Sequence, residues 1–376
     1  MVDVDSYKPA WVEVDLDAIA HNLALVRKIT RPGTKVLGVV KADAYGHGAV
    51  PVAKRLIERG VDYLAVASLE EAVELRDAGI NCPILVLGIL HPTQVGDALD
   101  LNLTLTLFTK TMARALGEEA RRRNTRARVH VKVDTGMGRL GVWFEDARAF
   151  IEEVASNENI EVEGVFTHLS SADEDEKYTL EQISHFNNLL GALGESKLRI
   201  PYRHAANSMG LLGYKAAHFN MVRPGLMLYG LYPDNKAQRP YKLAPAMSFY
   251  ARVVWLKDTP AGRAISYSRT YVTKSATKIA SLPVGYSHGY PRALSNKAHV
   301  LIAGSRAPVV GRICMDQTMV DVGRLSNGVK LGDKVCLLGE EQGGKIKAEE
   351  LAEICGTISY EIVCWISKRI PRIYIN

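Results

Sequence analysis

Residues 38–48 read GVVKADAYGHG. The apolar run from Val36 to Val40 predicts a buried strand that ends on Lys41 and breaks into a loop of small residues, Ala42, Ala44, Gly46 and Gly48. A lysine is thereby set where a sheet stops and a pocket can begin. Desolvation beside an apolar strand disfavours the ammonium form and lowers its pKa. A neutral amine at such a place is a nucleophile, and its most general use is a Schiff base with a carbonyl compound. A lysine at a strand end can also simply snorkel to water, so the rest of the chain decides between the two.

Outward from this stretch one pattern repeats. Asp15 and Asp17 lead into an amphipathic helix carrying Ile19, Leu23 and Val26, and the Lys41 strand follows. Tyr63 to Ala67 is the next strand, and Ser68 caps a helix that opens with Glu70 and Glu71. Further strands are expected at Pro83–Leu87, Leu101–Leu107, Arg128–Val133, Val162–Phe166, Arg203–Ala206 and Met221–Val222. Strand and helix alternate about eight times before residue 230, as in a (β/α)8 TIM-type barrel; an open doubly wound sheet is the alternative. A barrel keeps its chemistry just past the C-terminal ends of its strands. Lys41, Lys132 with Arg139, His168, Asn207 with Ser208, and Arg223 all fall there.

From about Leu243 the grammar changes to short strands and turns, as in SFYARVVWLKD, KIASLPVGY and HVLIAG. With the boundary in the polar, proline-bearing stretch Pro233–Pro245, residues 1–242 are expected to form the barrel and residues 243–376 a mainly β domain.

The composition narrows the function. At 376 residues, 47% hydrophobic and 23% charged, the chain is an ordinary globular one with room for two domains. The net charge of +6 is spread among acids without aromatic interleaving, which argues against a nucleic-acid surface and suits small anionic ligands. The N-terminal residues carry acids and no apolar leader, and no segment has the length of a membrane span. Cys82, Cys314, Cys336, Cys355 and Cys364 are scattered, which points to a reduced, cytoplasmic protein and away from a disulfide framework or a zinc site. No HExxH, GxSxG or P-loop occurs.

Several polar stretches stand where a core does not need them. KVDTGMGRLG joins Lys132, Asp134 and Arg139 to three glycines that let backbone approach a ligand. FTHLSSADE sets His168 directly after a strand. HAANSMG and VRPGLMLYG have the makings of a phosphate cradle, from the Ser208 hydroxyl and the amides near Gly225 and Leu226. The same residues also serve as common turn chemistry. In the second domain AISYSRTY holds Tyr267, PVGYSHGYPR holds Tyr286 and Arg292, and GRICMDQ holds Arg312, Met315 and Asp316.

These stretches, from WVEVDLDAI through to RIPRIY and in one order over nearly the whole chain, resemble the alanine racemase family. The resemblance implies a pyridoxal-phosphate enzyme with a barrel and a β domain, working as a cytoplasmic homodimer with shared active sites. It implies that Lys41 bears the cofactor and that Tyr267 of the partner subunit is the second acid/base. Tyr45, Ser208, Gly225 and Leu226 would hold the phosphate, Arg223 would face the pyridine nitrogen, and His168 would lie against the ring. Arg139 would contact cofactor and substrate carboxylate, and Met315 would line the substrate site. In many members of that family the lysine at the place of Lys132 is carbamylated, an anion that would fix Arg139, and the resemblance makes Lys132 a candidate for the same modification. No metal is implied. Alanine is the expected substrate, supplying D-alanine for peptidoglycan. A racemase of the same family for serine or another amino acid, a fold-related decarboxylase and a non-catalytic pyridoxal-phosphate-binding barrel are the alternatives.

Independent chemistry agrees with these roles. Racemisation removes a proton from one face of a carbon and returns it to the other, so two groups on opposite sides are needed. A tyrosine of ordinary pKa, about 10, needs nearby cations or hydrogen bonds to serve as a base, and His168 and Arg223 are the candidates. An arginine at the pyridine nitrogen keeps its proton and leaves the ring a weaker electron sink. Three positions depart from the family pattern: Ser268 stands where glycine is usual, His288 where aspartate is common, and Lys368 where a phosphate-facing tyrosine is frequent. Lys368 and Tyr374 are both left open as phosphate contacts.

Overall fold

The computed structural model describes residues 8–196, 198–233, 241–325 and 328–376. The chain divides into two compact units. One comprises Ala20–Ala44 and Ala49–Leu228; the other takes Met1–Ile19, Tyr45–Gly48 and Tyr229–Asn376.

The first unit is an eight-stranded parallel barrel. Its strands are Lys35–Val39, Tyr63–Val66, Ile84–Val86, Thr104–Leu107, Ala127–Asp134, Ile160–Phe166, Tyr202–His204 and Met221–Val222, and the first seven pair each with the next in chain order. Met221 and Val222 return to Lys35 and Val36. The remaining seam between Tyr202–His204 and Met221–Val222 is bridged by the amides of Asn220 and Arg223, which donate to the carbonyls of Arg203 and Ala206. The doubly wound alternative is thereby set aside.

The strands are short and apolar because both faces of a parallel barrel are covered. Leu37, Leu64, Leu85 and Val131 are wholly buried. The helix Ala49–Glu58 turns Val52, Ala53 and Leu56 inward, and a side chain at Gly38 would press on Leu56 from 3.1 Å, so the glycine lets helix and strand meet. Ser68, Thr109 and Asp175 start the helices Leu69–Asp77, Lys110–Arg122 and Glu176–Glu195, each accepting a backbone N–H of the first turn.

The second unit is mainly β. Its largest sheet runs in the order Ser305–Pro308, His299–Ile302, Lys334–Glu341, Met247–Arg252, Ala10–Asp15, Arg372–Ile375. The strand Ala10–Asp15 lies antiparallel to Met247–Arg252 and parallel to Arg372–Ile375. A three-stranded sheet of Trp255–Thr259, Thr277–Leu282 and Thr318–Asp321 and a small hairpin of Ala264–Ile265 with Tyr271–Val272 complete it.

The compact units differ from a division at residue 242. The WVEVD segment has strand alternation, and it is claimed by a sheet whose other members come more than two hundred residues later. Part of the expected boundary stretch, 234–240, lies outside the described residues. Among the described residues no helix is long and apolar enough to cross a membrane.

Candidate active site

Lys41 is separated from the end of the first barrel strand by one residue, Val40. The residues after it, Ala42, Asp43, Ala44 and Tyr45, have φ of 52, 54, 52 and 54°, a full left-handed turn without a glycine. Such backbone costs about 1–2 kcal/mol per residue and persists only where its surroundings impose it. The amide of Ala44 donates to Val40 O (2.8 Å), Asp43 Oδ1 accepts the amide of Ala49 (2.8 Å), and Glu71 Oε1 accepts the amide of Ala42 (2.7 Å). Alongside, Val39 donates its amide to Pro224 O (3.0 Å), tying the Lys41 strand to the segment that carries Arg223.

Arg223 is buried at the end of the last strand. Its Nη2 donates to Thr167 O (2.8 Å) and Ala205 O (3.0 Å) and lies 3.4 Å from His168 Nδ1, while Nη1 lies 3.0 Å from His204 Nδ1. Burial lowers its pKa to about 9, still above neutrality, so it remains a cation.

Lys132 is also buried, 5.0 Å above the Phe166 ring, and its Nζ has no hydrogen-bond partner among the described residues. Burial drives its pKa well below the usual lysine value; Arg223 adds to this, Asp134 opposes it and Arg139 adds again. Asp134, two residues on, accepts the amides of Gly136, Met137 and Gly138 through Oδ1. That turn and the pairing of Val142–Trp143 with Val133 and Asp134 shape the loop that exposes Arg139. Gly141, at φ 124°, is required: a Cβ there would sit 2.7 Å from the Asp134 amide.

His168 is held neutral. Burial is the main cause, followed by the charges of Arg223, Lys132, Arg139 and Lys41. Of the two groups expected to support Tyr267, a neutral His168 can act only through hydrogen bonds, while Arg223 keeps its charge. Basic side chains from three barrel strands, Lys41, Lys132 with Arg139, and Arg223, thus act on one imidazole, with Arg223 Nη2 3.4 Å from it and both Lys132 and Arg223 over the Phe166 ring, which favours an anion there.

Ser208 begins the helix Ser208–Gly213, which Asn207 caps through the amide of Gly210 (2.9 Å). The Ser208 hydroxyl oxygen accepts the amides of Gly225 (3.0 Å) and Met227 (3.3 Å). The Gly225 amide is thus engaged by the serine, whose own proton is left to donate. Leu226 is buried beside it.

Sequence reasoning missed a polar column in the barrel interior. His204 Nε2 lies 2.8 Å from His130 Nδ1, and His130 Nε2 lies 3.4 Å from Glu163 Oε2. Tyr63 donates to the same carboxylate oxygen at 2.7 Å and Thr104 at 3.2 Å. Burial works to raise the Glu163 pKa, but the His130 and Tyr63 contacts outweigh it and hold the carboxyl below its usual value. The signal was present in RVHVKVD, where His130, Lys132 and Asp134 alternate with valines and yet all are buried.

In the β unit, Tyr45 is buried with its ring 4.8 Å from Tyr229 and 6.1 Å from Tyr360, and burial pushes its phenol above the usual value. Tyr267 and Met315 are 70% and 55% exposed. They belong to one loop cluster: Ser266 Oγ donates to Arg312 O (2.5 Å) and lies 3.4 Å from Cys314 Sγ. Tyr286 and Ser287 donate their amides to Cys314 O and Met315 O. Ser268 takes φ 59°, so a residue with a side chain occupies left-handed backbone. His288 Nδ1 accepts the Gly285 amide at 3.2 Å, and a neutral imidazole there serves as a backbone acceptor; burial lowers its pKa while Asp316 opposes this. Tyr374 rests its hydroxyl against Gly48, where a Cβ would fall 2.0 Å from it, and Lys368 is exposed. Among the described residues no cluster of three or more His, Cys, Asp or Glu could hold a metal.

Comparison with known proteins agrees with this arrangement. Residues 14–233 match the alanine racemase N-terminal domain and residues 246–374 the alanine racemase C-terminal domain. Alanine racemase 2 of Caldanaerobacter subterraneus is 46% identical over 99% of this chain and 96% of its own length. Alanine racemase of Desulforamulus reducens is 47% identical over 98% and 100%. Alanine racemase of Clostridium difficile superposes with a TM-score of 0.92 at 39% identity, covering 98% of this chain and 96% of that one. Alanine racemase of Bacillus anthracis, solved with bound L-Ala-P, does so at 0.91 and 39%, with the same coverage. With both of its parts matched and whole-length relatives well above 40% identity, this chain belongs to the alanine racemase family.

Proposed function

We infer that this protein interconverts L- and D-alanine and so supplies D-alanine for peptidoglycan, with pyridoxal phosphate as cofactor. The observation that carries the reading is the cluster of Lys132 and Arg223 over the Phe166 ring, at 5.0 and 5.3 Å, with Arg223 Nη2 3.4 Å from His168 Nδ1, at the end of the barrel where Lys41 and Arg139 also stand. That donor set fits an anionic phosphate ester with a carbonyl group: a lysine at a strand end to link it, a serine hydroxyl with a proton to give, and a permanent buried cation. The unpartnered Lys132 amine marks a place where the barrel expects a further group. Bound through Lys41, pyridoxal phosphate supplies the electron sink that makes the hydrogen on the substrate's α-carbon acidic.

The residues then divide the work. Lys41 moves a proton on one face of the α-carbon and Tyr267 on the other. Arg223, which keeps its proton, would face the pyridine nitrogen and restrain electron withdrawal, favouring return of the proton, and His168 would lie against the ring. Tyr45, Ser208, Gly225 and Leu226 would hold the phosphate, the last two through backbone, with the Gly225 amide exchanging its bond to the Ser208 hydroxyl for one to the phosphate. Arg139 binds the substrate carboxylate, Met315 lines the site, and a carbamate on Lys132 pins Arg139. Residues 1–242 would carry the cofactor and residues 243–376 would bring the second base. The exposure of Tyr267 and Met315 supports a homodimer in which each subunit completes its partner's site, and the scattered cysteines support a reduced, cytoplasmic setting.

Borohydride reduction of the purified enzyme followed by peptide mapping should put a pyridoxyl group on Lys41, and the enzyme should exchange the α-hydrogen of alanine with solvent deuterium from either enantiomer. A label on another lysine, or exchange from serine but not alanine, would overturn the respective assignment.

A further inference from the structure

We propose that Glu71 is the positioning residue that aims Lys41, an inference that rests on the reading of Lys41 as the cofactor lysine. Glu71 stands in the first turn of the helix Leu69–Asp77. Its Oε1 accepts the amide of Ala42 and its Oε2 the amide of Ala67, both at 2.7 Å. These are the lengths of hydrogen bonds assisted by a carboxylate charge. Ala42 follows Lys41, and Ala67 follows the neighbouring strand Tyr63–Val66. Directly before them the two strands are joined by the amide of Val40 to Ala65 O at 2.9 Å. One carboxylate therefore staples the C-terminal ends of two adjacent barrel strands at the point where hydrogen bonding between the strands has ended.

The geometry departs from the usual helix start. Ser68 caps the helix and accepts the Glu71 amide at 3.4 Å, as in a capping box, where the glutamate would return to the cap residue's own amide. Here it reaches one residue further back, to Ala67, and its second oxygen crosses to the lysine loop. The consequence for Lys41 follows from peptide geometry. The N–H of Ala42 lies in the same rigid plane as the carbonyl of Lys41, so holding that amide fixes ψ of Lys41 and with it the direction of the Cα–Cβ bond. The turn that follows is left-handed over four residues with side chains, a conformation that relaxes unless it is held. Glu71 needs no contact with substrate or cofactor for this role.

The test separates aiming from folding. Glu71→Gln keeps the size but offers one accepting oxygen, and its amide group meets one of the two backbone N–H groups donor to donor. Glu71→Asp keeps the charge but is too short to span both amides. Hydrogen exchange at the Ala42 amide should accelerate on the order of ten- to a hundredfold in Glu71→Gln, the range for one lost hydrogen bond to a charged group. The rate at which added pyridoxal phosphate becomes fixed to Lys41 in cofactor-stripped enzyme, read by borohydride trapping, should fall by a similar factor. Glu71→Asp should recover part of the exchange protection. Exchange in the strand His299–Ile302 of the other unit reports opening beyond the barrel and should not change. Acceleration spread equally over both regions, or unchanged exchange at Ala42 with the label still on Lys41, would overturn the proposal. A wild-type label on a different lysine would instead defeat the cofactor reading, whatever Ala42 does.

Discussion

Arg223 Nη1 and His204 Nδ1 are 3.0 Å apart, and since a guanidinium has only protons to give, Nδ1 of His204 is the acceptor. The proton of His204 is therefore on Nε2, which donates to His130 Nδ1, and the proton of His130 is on Nε2, facing Glu163. The permanently charged arginine thus sets both tautomers, and a carboxylate terminates the column. Replacing His204 with Phe keeps an aromatic face for Phe166 but strands a buried guanidinium proton. A loss of about 1–3 kcal/mol in urea unfolding is expected, together with a fall in racemisation rate. A loss under about 0.5 kcal/mol would mean that the column does not hold Arg223.

The imidazoles of this region also predict how stability follows pH. His130, His168 and His204 all have folded pKa values lowered by burial, followed by other influences that for His168 and His204 include Arg223 and for His130 include the opposing Glu163. An unfolded histidine, with pKa about 6.5, binds a proton below that pH while the folded one does not. Their contribution is complete above about pH 6.5 and is lost as pH falls below it, by about 1.4 kcal/mol per pH unit for each group. The depressed Glu163 adds a further loss at lower pH, below the unfolded carboxylate value of about 4.3. Denaturant unfolding at pH 8, 6.5 and 5 measures this; equal stability at 6.5 and 5 would contradict it.

Lys132 offers a chemical test. A buried amine with a depressed pKa is neutral, and neutral amines add to carbon dioxide, forming a carbamate and releasing a proton. Incubation with 13C-labelled bicarbonate should yield a carbamate resonance that Lys132→Ala lacks. The mutant should lose most of its activity, and a small carboxylic acid should restore part of it by placing an anion beside Arg139. Full activity in the unsupplemented mutant would reject the role.

Much of this was legible in the sequence. The run Met221–Val222 and the segments around Tyr63, Ile84 and Val162 were found because short apolar runs bounded by turns are a local property. The helix from Leu16 was found because Ile19, Leu23 and Val26 share a face. The left-handed turn after Lys41 was not legible, since Ala-Asp-Ala-Tyr has no glycine and the conformation is imposed by groups such as Glu71. Nor was the His204–His130–Glu163 column, because its members come from three strands and meet only once the barrel is closed. That Ala10–Asp15 pairs with strands of the second unit was not legible for the same reason: alternation announces a strand but not its partner.

The proposed sharing of sites between two subunits predicts a complementation result. Lys41→Ala and Tyr267→Phe homodimers should each be nearly inactive. Unfolded together and refolded, about half the dimers should be mixed, each with one site holding both bases and one holding neither, so about a quarter of wild-type activity should return. A mixture no better than its parents, once mixed dimers are shown to have formed, would place both bases in one subunit or remove one of them from the mechanism.

The strand Ala10–Asp15, flanked by Met247–Arg252 on one side and Arg372–Ile375 on the other, has a consequence for synthesis. The barrel needs nothing beyond Leu228 for its own strands and can close while the remaining chain is still being made. The first strand, by contrast, emerges first and finds its second neighbour only when residues 372–375 have left the ribosome. Pairings so distant in sequence form slowly, because the loop entropy is spent before the contact is gained. A slow late phase, reported by Trp11 as it packs on Tyr250, should therefore limit refolding, and removing residues 372–376 should abolish that phase while leaving the early barrel phase intact.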